Sequence, residues 1–366
     1  MKLIIQTGLV DHQKADAKCC FKLLEQIPDK DQYFIITTGF TDGPICISGI
    51  HGYSFKNIKA PRMFRLFFSF FFSPDINVLL LHKIFKYVSN NFVFDTIYCF
   101  SGDYLTQILG SRLKKRFPNL IMKTILYDPM PTNNYVYKRK LNLLYPKKTV
   151  VKMIKNSVDY VYCTSGLFDD YKSDFLHVEV CGLPLLTMKE DKDFKKKDKN
   201  TFTFLYAGSI NTKVRTLSLL INHFKKIGEK INYKIIFAGV FSKQIIRKLS
   251  CINAEFVGYC DEEKLKKLYD ISDALILIGN NNSYQTPSKL IEYISYRKKI
   301  ISFESLTNSQ SGVLLKDYVN SFIIDDKDCS INAFLSFIKQ DFIDQKSIEK
   351  VFYEHTPKYN YELIFS

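Results

Sequence analysis

The chain has 366 residues, 46% hydrophobic and 24% charged, which excludes disorder over most of its length and supplies enough chain for two cores. Its 52 Lys+Arg against 37 Asp+Glu give a formal net charge of +15. That balance favours an anionic partner, whether nucleic acid, a nucleotide-phosphate substrate or an acidic membrane face, without choosing among them. Nine cysteines, with Cys19 and Cys20 adjacent and no Cys-x-x-Cys pair, suit neither a disulfide framework nor a zinc site. They point to reduced thiols in a cytoplasm.

The apolar start, Met1 to Gly8, turns polar at Asp11-His12-Gln13-Lys14 and is too short for the core of a secretory signal. It reads as a first buried strand, Leu3–Gln6. Further apolar runs at Tyr33–Thr37, Thr96–Phe100, Met122–Leu126 and Tyr160–Thr164 alternate with helical patterns at Asp16–Ile27 and Tyr104–Phe117. Such alternation predicts a parallel sheet covered by helices.

In an open α/β sheet, ligands bind beyond the carboxyl ends of the strands. Gly8, with Leu9 to His12, therefore either faces a ligand or simply makes a tight turn. Two more loops share that edge, Ser101-Gly102-Asp103 and Asp128-Pro129-Met130-Pro131. Asp103 is also placed to cap the following helix, whereas Asp128 precedes proline and stays on a loop, the better catalytic or acceptor-binding residue.

Residues Pro61 to Phe72 (PRMFRLFFSFFF) set dense phenylalanine beside two arginines. The run falls short of the roughly 20 apolar residues that span a bilayer. An interfacial helix on an anionic inner leaflet and ordinary core packing are both open readings.

The run Lys189 to Asn200 (KEDKDFKKKDKN) reads as a solvated linker, so the expected division is 1–188, a linker at 189–200, a second domain at 201–345 and terminal helices at 346–366. Asp191-x-Asp193 matches a metal motif by letters alone, and no metal site is expected. Beyond the linker, the strands Phe202–Ala207, Tyr233–Ala238 and Ala254–Val257 each run into a glycine, Gly208, Gly239 and Gly258. Gly208-Ser209 followed by a helix from about Val214 to Ile227 is the expected pattern of a phosphate cradle. Arg215, or else Lys213, is the cation for a diphosphate, since a guanidinium presents two parallel donors; a solvated surface cation is the bland reading of either.

After the strand Asp273–Ile278 and the loop Gly279-Asn280-Asn281-Asn282-Ser283 comes Pro287-Ser288-Lys289-Leu290-Ile291-Glu292-Tyr293. Pro287 suits a first helical position, the helix N-terminus presents free amides, and Lys289 adds positive charge. Glu292 follows Ser288 by about one turn, where a carboxylate can accept both hydroxyls of a ribose.

This order of strand-Gly units, then Ser272-Asp273-Ala274, Pro287-Ser288-Lys289-x-x-Glu292-Tyr293 and Lys299-Ile300-Ile301, resembles the donor domain of GT-B glycosyltransferases, most like family 4. In the first half, Asn156 to Ser165 resembles the last strand of the acceptor domain. The resemblance implies two Rossmann-like α/β domains facing across a cleft, with the last helix returning to the first domain. It also implies metal-independent, retaining transfer from a UDP- or GDP-sugar to a polysaccharide or lipid-linked oligosaccharide. Glu292 would hold the ribose, Arg215 or Lys213 the diphosphate. Many members carry a second glutamate eight positions before Glu292; this chain has Tyr284 there. The alternative that follows is a catalytically silent GT-B partner in polysaccharide assembly. An epimerase or phosphorylase on the same fold also fits, while a nucleic-acid binder rests on charge alone and lacks a recognisable module.

Overall fold

The computed structural model describes residues 1–9, 15–57, 78–100, 104–128, 152–189, 201–212, 215–325, 330–343 and 347–366. The chain forms two compact units, Met1–Leu185 together with Glu354–Ser366, and Leu186–Tyr353.

The first unit holds an eight-stranded sheet: β1 (Lys2–Thr7), β2 (Tyr33–Gly39), β3 (Gly43–Ile47), β4 (Ile50–Lys56), β5 (Thr96–Phe100), β6 (Ile121–Leu126), β7 (Tyr160–Cys163) and β8 (Val178–Val180). The order across it is β3-β4-β2-β1-β5-β6-β7-β8, and only β3 against β4 is antiparallel. Helices α1 (Ala15–Leu24), α2 (Val78–Asn91), α3 (Tyr104–Arg116) and α4 (Ser165–Lys172) accompany it. Central strands covered on both faces must be apolar throughout, which is why β5 is buried at every position. One core joins Leu3, Ile5, Ile97, Cys99 and Met122 of the strands to Ile84, Val88, Ile108 and Leu109 of α2 and α3.

The second unit is a parallel six-stranded sheet of β9 (Phe202–Ala207), β10 (Tyr233–Ala238), β11 (Ala254–Gly258), β12 (Ala274–Ile278), β13 (Lys299–Phe303) and β14 (Ser321–Ile324). Its order is β11-β10-β9-β12-β13-β14, so the direction of winding reverses between β9 and β12. The helices are α5 (Ser218–Gly228), α6 (Lys243–Leu249), α7 (Glu262–Ile271), α8 (Ser288–Ser295), α9 (Gln310–Leu315), α10 (Ile331–Lys339) and α11 (Ile348–Val351). Ser242, Asp261, Ser309 and Ser330 each accept a backbone N–H of the first turn of their helix, the ordinary way to satisfy a helix start. Phe204, Phe224, Phe237, Phe303 and Phe334 fill the core.

The last helix, α12 (Pro357–Phe365), belongs to the first unit, where Phe365 stacks on Tyr98 at 4.5 Å between ring centroids. Beside it the backbone N–H of Leu183 donates to His355 Nδ1 at 2.9 Å. Two buried lysines do the same work in the two sheets. Lys123 of β6 donates to the carbonyls of Ile364 (2.9 Å) and Ser366 (3.1 Å), and Lys299 of β13 to those of Phe337 (2.8 Å) and Ile338 (3.0 Å). Each ammonium answers the unsatisfied carbonyls and the negative dipole at a helix end.

Candidate functional site

The winding reversal between β9 and β12 is where a doubly wound sheet opens a crevice at its strand ends. Two of the glycines seen in the sequence meet there. The N–H of Gly208 donates to the carbonyl of Ala238 (2.8 Å), and that of Gly239 to the carbonyl of Gly258 (2.8 Å), so the three strand ends step past one another. Gly208 and Gly239 have φ of 142° and 150°, a region closed to side chains. A Cβ on Gly239 would stand 2.3 Å from the carbonyl oxygen of Gly208.

Helix α8 brings its polar side to this turn. Leu290, Ile291, Tyr293 and Ile294 are buried, which leaves Ser288, Lys289 and Glu292 on the partly exposed side. The Tyr293 hydroxyl accepts the N–H of Ala207 at 3.0 Å, which fixes α8 against the last residue of β9. Lys289 pairs with Glu292 at 2.5 Å, and its side chain lies beside Gly208, 4.0 Å from where a Cβ would stand. Pro287 occupies the N-cap with φ −65° and ψ 121°, one position earlier than the sequence suggested. The shift is harmless because neither position requires its missing N–H.

Arg215 departs further from expectation. Helix α5 starts at Ser218, so Arg215 lies on the loop before it. Its Nη1 donates to the Tyr206 hydroxyl (2.9 Å) and the Ser209 carbonyl (2.9 Å), and its Nε to Asn280 Oδ1 (3.3 Å). Burial raises the Tyr206 phenol above its ordinary value despite the guanidinium beside it, and the protonated hydroxyl donates in turn to the Ser209 carbonyl at 2.9 Å. Arg215 therefore binds the loop after β9 to the loop after β12 and is a held cation instead of a solvated one. Asn281, next to Asn280, accepts from Thr216 (3.2 Å) and Ser305 (2.7 Å) and adds a second bridge.

Sequence reading missed Tyr206, Asn280 and the anchoring by the Tyr293 hydroxyl. The Asn280 loop was visible, but a tyrosine inside a buried strand carries no sign that its hydroxyl will meet a cation. Under the Gly279 turn lies Glu304, 2% exposed, whose Oε1 accepts the hydroxyls of Ser311 (2.7 Å) and Ser302.

In the first unit, Gly8 has φ 69° and its N–H donates to Thr38 Oγ1 at 3.1 Å, the geometry of a tight turn. Asp128 is half-buried just beyond β6. Lys213, Asp103, the Pro61–Phe72 run, Pro129 to Pro131 and the Asp191-x-Asp193 pair lie outside the described residues. Lys189, the start of the charged run, is described: its N–H donates to the Ser295 carbonyl at 3.1 Å, on the last residue of α8. Among the described residues no cluster of His, Cys, Asp and Glu could hold a metal, the cysteines are unpaired, and no helix is long and apolar enough to cross a membrane.

Residues 187–351, nearly all of the second unit, match the family model for glycosyl transferases, group 1. No curated protein matches the chain. Among solved structures it is similar to Anabaena Alr3699/HepE in complex with UDP and glucose, at TM-score 0.63 and 14% identity over 99% of this chain and 94% of that one. It is similar too to the lipopolysaccharide outer core galactosyltransferase WaaB in its apo form (TM-score 0.60, 11% identity, 99% and 97% covered). A third likeness is to UDP-GlcNAc 2-epimerase from Neisseria meningitidis bound to UDP-GlcNAc (TM-score 0.60, 12% identity, 100% and 98% covered). These likenesses establish the fold: two Rossmann-like sheets of the GT-B class, the second matching a glycosyl transferases group 1 domain.

Proposed function

We propose that this protein is a glycosyltransferase that moves a sugar from a nucleotide-diphosphate sugar, UDP- or GDP-linked, to a polysaccharide or lipid-linked oligosaccharide acceptor. The observation that carries the reading is the meeting of Arg215, Lys289 and Glu292 around Gly208 and Ser209, at the reversal of a doubly wound sheet whose segment matches glycosyl transferases group 1. The neighbours that hold UDP or UDP-GlcNAc support a nucleotide-sugar donor, and WaaB supports a saccharide acceptor.

In this reading Pro287 and Ser288 open a helix whose free amides face the diphosphate, and the glycines let phosphate approach the backbone of Gly208, Ser209 and Gly239. Negative charge grows on the leaving diphosphate as the glycosidic bond breaks. Arg215, fixed beforehand by Tyr206 and Asn280, and Lys289, freed in part from Glu292, meet that charge without needing a metal. Glu292 then accepts the ribose hydroxyls. Asp128 acts on the acceptor side in the first unit, and Gly8 faces the same carboxyl edge of the sheet. The anomeric configuration is retained. The enzyme works in the cytoplasm, with peripheral contact to an anionic inner leaflet through the Pro61–Phe72 segment.

A second reading, a silent GT-B partner in polysaccharide assembly, is favoured by Tyr284 at the position where a second glutamate would contact the sugar. A panel of UDP- and GDP-sugars incubated with surface-saccharide and lipid-linked acceptors separates the two. Release of UDP or GDP together with a new glycoside supports transfer. Nucleotide binding without release from any donor leaves the silent partner, and no binding of UDP, GDP or ADP defeats the donor site itself.

A further inference from the structure

The first unit contains a cavity of about 600 Å³ that the proposed chemistry does not use. It lies on the sheet face of β6, β7 and β8, walled on one side by α12. Tyr160 opens β7 and Lys123 is its partner on β6, while Tyr162 pairs with Glu179 on β8. The cavity therefore sits toward the amino ends of these strands, at the opposite end from Gly8 and Asp128. From α12 come Tyr359 and Glu362, one helical turn apart on one face.

The lining restricts the ligand. Among the described residues that line it the cation is Lys123, 9% exposed, whose ammonium is committed to the carbonyls of Ile364 and Ser366 and lies 5.7 Å and 5.9 Å from the ring centres of Tyr160 and Tyr162. Glu179 and Glu362 are exposed carboxylates at the same opening. An anionic ligand would meet two negative charges at the opening. The carboxylates and tyrosine rings suit a neutral ligand rich in hydroxyl donors with a flat apolar face, and the volume fits one or a few sugar rings. His177 stacks on Tyr160 at 5.0 Å and 25°, which holds that ring in place.

We propose that this cavity is a second saccharide-binding site, in which a neutral sugar packs on Tyr359 beside Tyr160 and donates hydroxyl hydrogen bonds to Glu179 and Glu362. It shares no residue with the proposed nucleotide site and holds glycan at the opposite end of the first unit's strands from Gly8 and Asp128.

The test uses the full chain with maltotriose, cellotriose and triacetylchitotriose as probes, followed by saturation-transfer NMR and calorimetry, with UDP titrated in parallel. At least one trisaccharide binds the parent protein. Tyr160→Ala and Glu179→Gln each weaken that binding by about tenfold, the size of one lost charge-assisted hydrogen bond or ring contact, while UDP affinity stays the same. Circular dichroism checks that each variant folds, and exposed Glu179→Gln decides alone if Tyr160→Ala does not. The proposal is overturned by three trisaccharides that fail to bind, by unchanged binding in either folded variant, or by a parallel loss of UDP binding. Trisaccharide binding without UDP binding would keep this site and defeat the donor reading.

Discussion

The turns after the first strands of the two units, Gly8 after β1 and Gly208 after β9, have the same place in topology and different surroundings. Around Gly8 the first unit closes on itself: the N–H groups of Gly8 and Leu9 donate to Thr38 and Thr37 hydroxyls at 3.1 Å, and buried Gln6 donates to Asp16. Around Gly208 the second unit gathers charge, with Arg215 on one side and Lys289 and Glu292 on the other. The doubly wound sheet supplies a crevice in general, and only the residues grafted on its edge decide whether it suits a diphosphate. The contrast can be broken at several positions.

The largest effect is expected from Gly239→Ala. Its Cβ would enter the space of the Gly208 carbonyl, and φ 150° is strained for any side chain. A loss of about 3 kcal/mol or more follows from such a clash on rigid backbone, read as a lower urea midpoint. Nucleotide binding falls with it. Gly258→Ala meets nothing within 4 Å and bears only the left-handed strain of φ 72°, about 1 kcal/mol. Equal losses for the two variants would show that the stepped strand ends are not what makes Gly239 necessary.

Next comes Glu292→Ala, which removes the proposed ribose acceptor and leaves Lys289 unpaired. We expect kcat/KM for the donor to fall by about a hundredfold with a weaker Kd for the nucleotide, as for loss of two hydrogen bonds to a charged group. Asp128→Asn in the first unit should instead lower kcat by about tenfold and leave nucleotide Kd unchanged. Unchanged donor affinity and turnover in the Glu292 variant would remove the carboxylate from the site.

Much of the second unit could be read in advance because its strands are short apolar runs stopped by glycine, and because Lys289 and Glu292 lie three apart on one helix. The Arg215 network could not, since Tyr206, Ser209 and Asn280 meet it only after β9 and β12 become neighbours. In the first unit the hairpin of β3 and β4 went unseen. Gly43, Pro44, Ser48, Gly49 and Gly52 weaken its strand pattern, and no residue of β3 is buried, so the pairing of Ile45 with Gly52 comes from the sheet and not from propensity.

Among the described residues each unit also buries one histidine, His223 in the second and His355 in the first, and burial holds both imidazoles down to about 4. Unfolding returns them to about 6.5, so the unfolded chain takes up protons that the folded one refuses as pH falls from 6.5 towards 4. Stability is complete above pH 6.5 and declines below it, by about 2 kcal/mol per histidine between pH 7 and pH 5. Glu354, next to His355, works in the other direction because burial raises its carboxyl. The second unit should therefore lose hydrogen-exchange protection first on acidification, and His223→Leu should flatten its pH dependence. Earlier loss in the first unit would show that Glu354 does not offset His355.

The smallest effect, and the one that bears most directly on the two turns, is that of Gly8→Asn. Asparagine tolerates φ 69° better than other side chains, and the N–H at this position would still reach Thr38, so stability should change by no more than about 1 kcal/mol. If Gly8 only closes a turn, transfer to the acceptor proceeds at close to the parent rate. If substrate lies against the backbone there, the new side chain blocks it, and kcat/KM for the acceptor drops while the melting temperature and UDP affinity do not. The bonds from Gly8 and Leu9 to the two threonines favour the first result, because a turn whose amides are already satisfied has little left to offer a ligand.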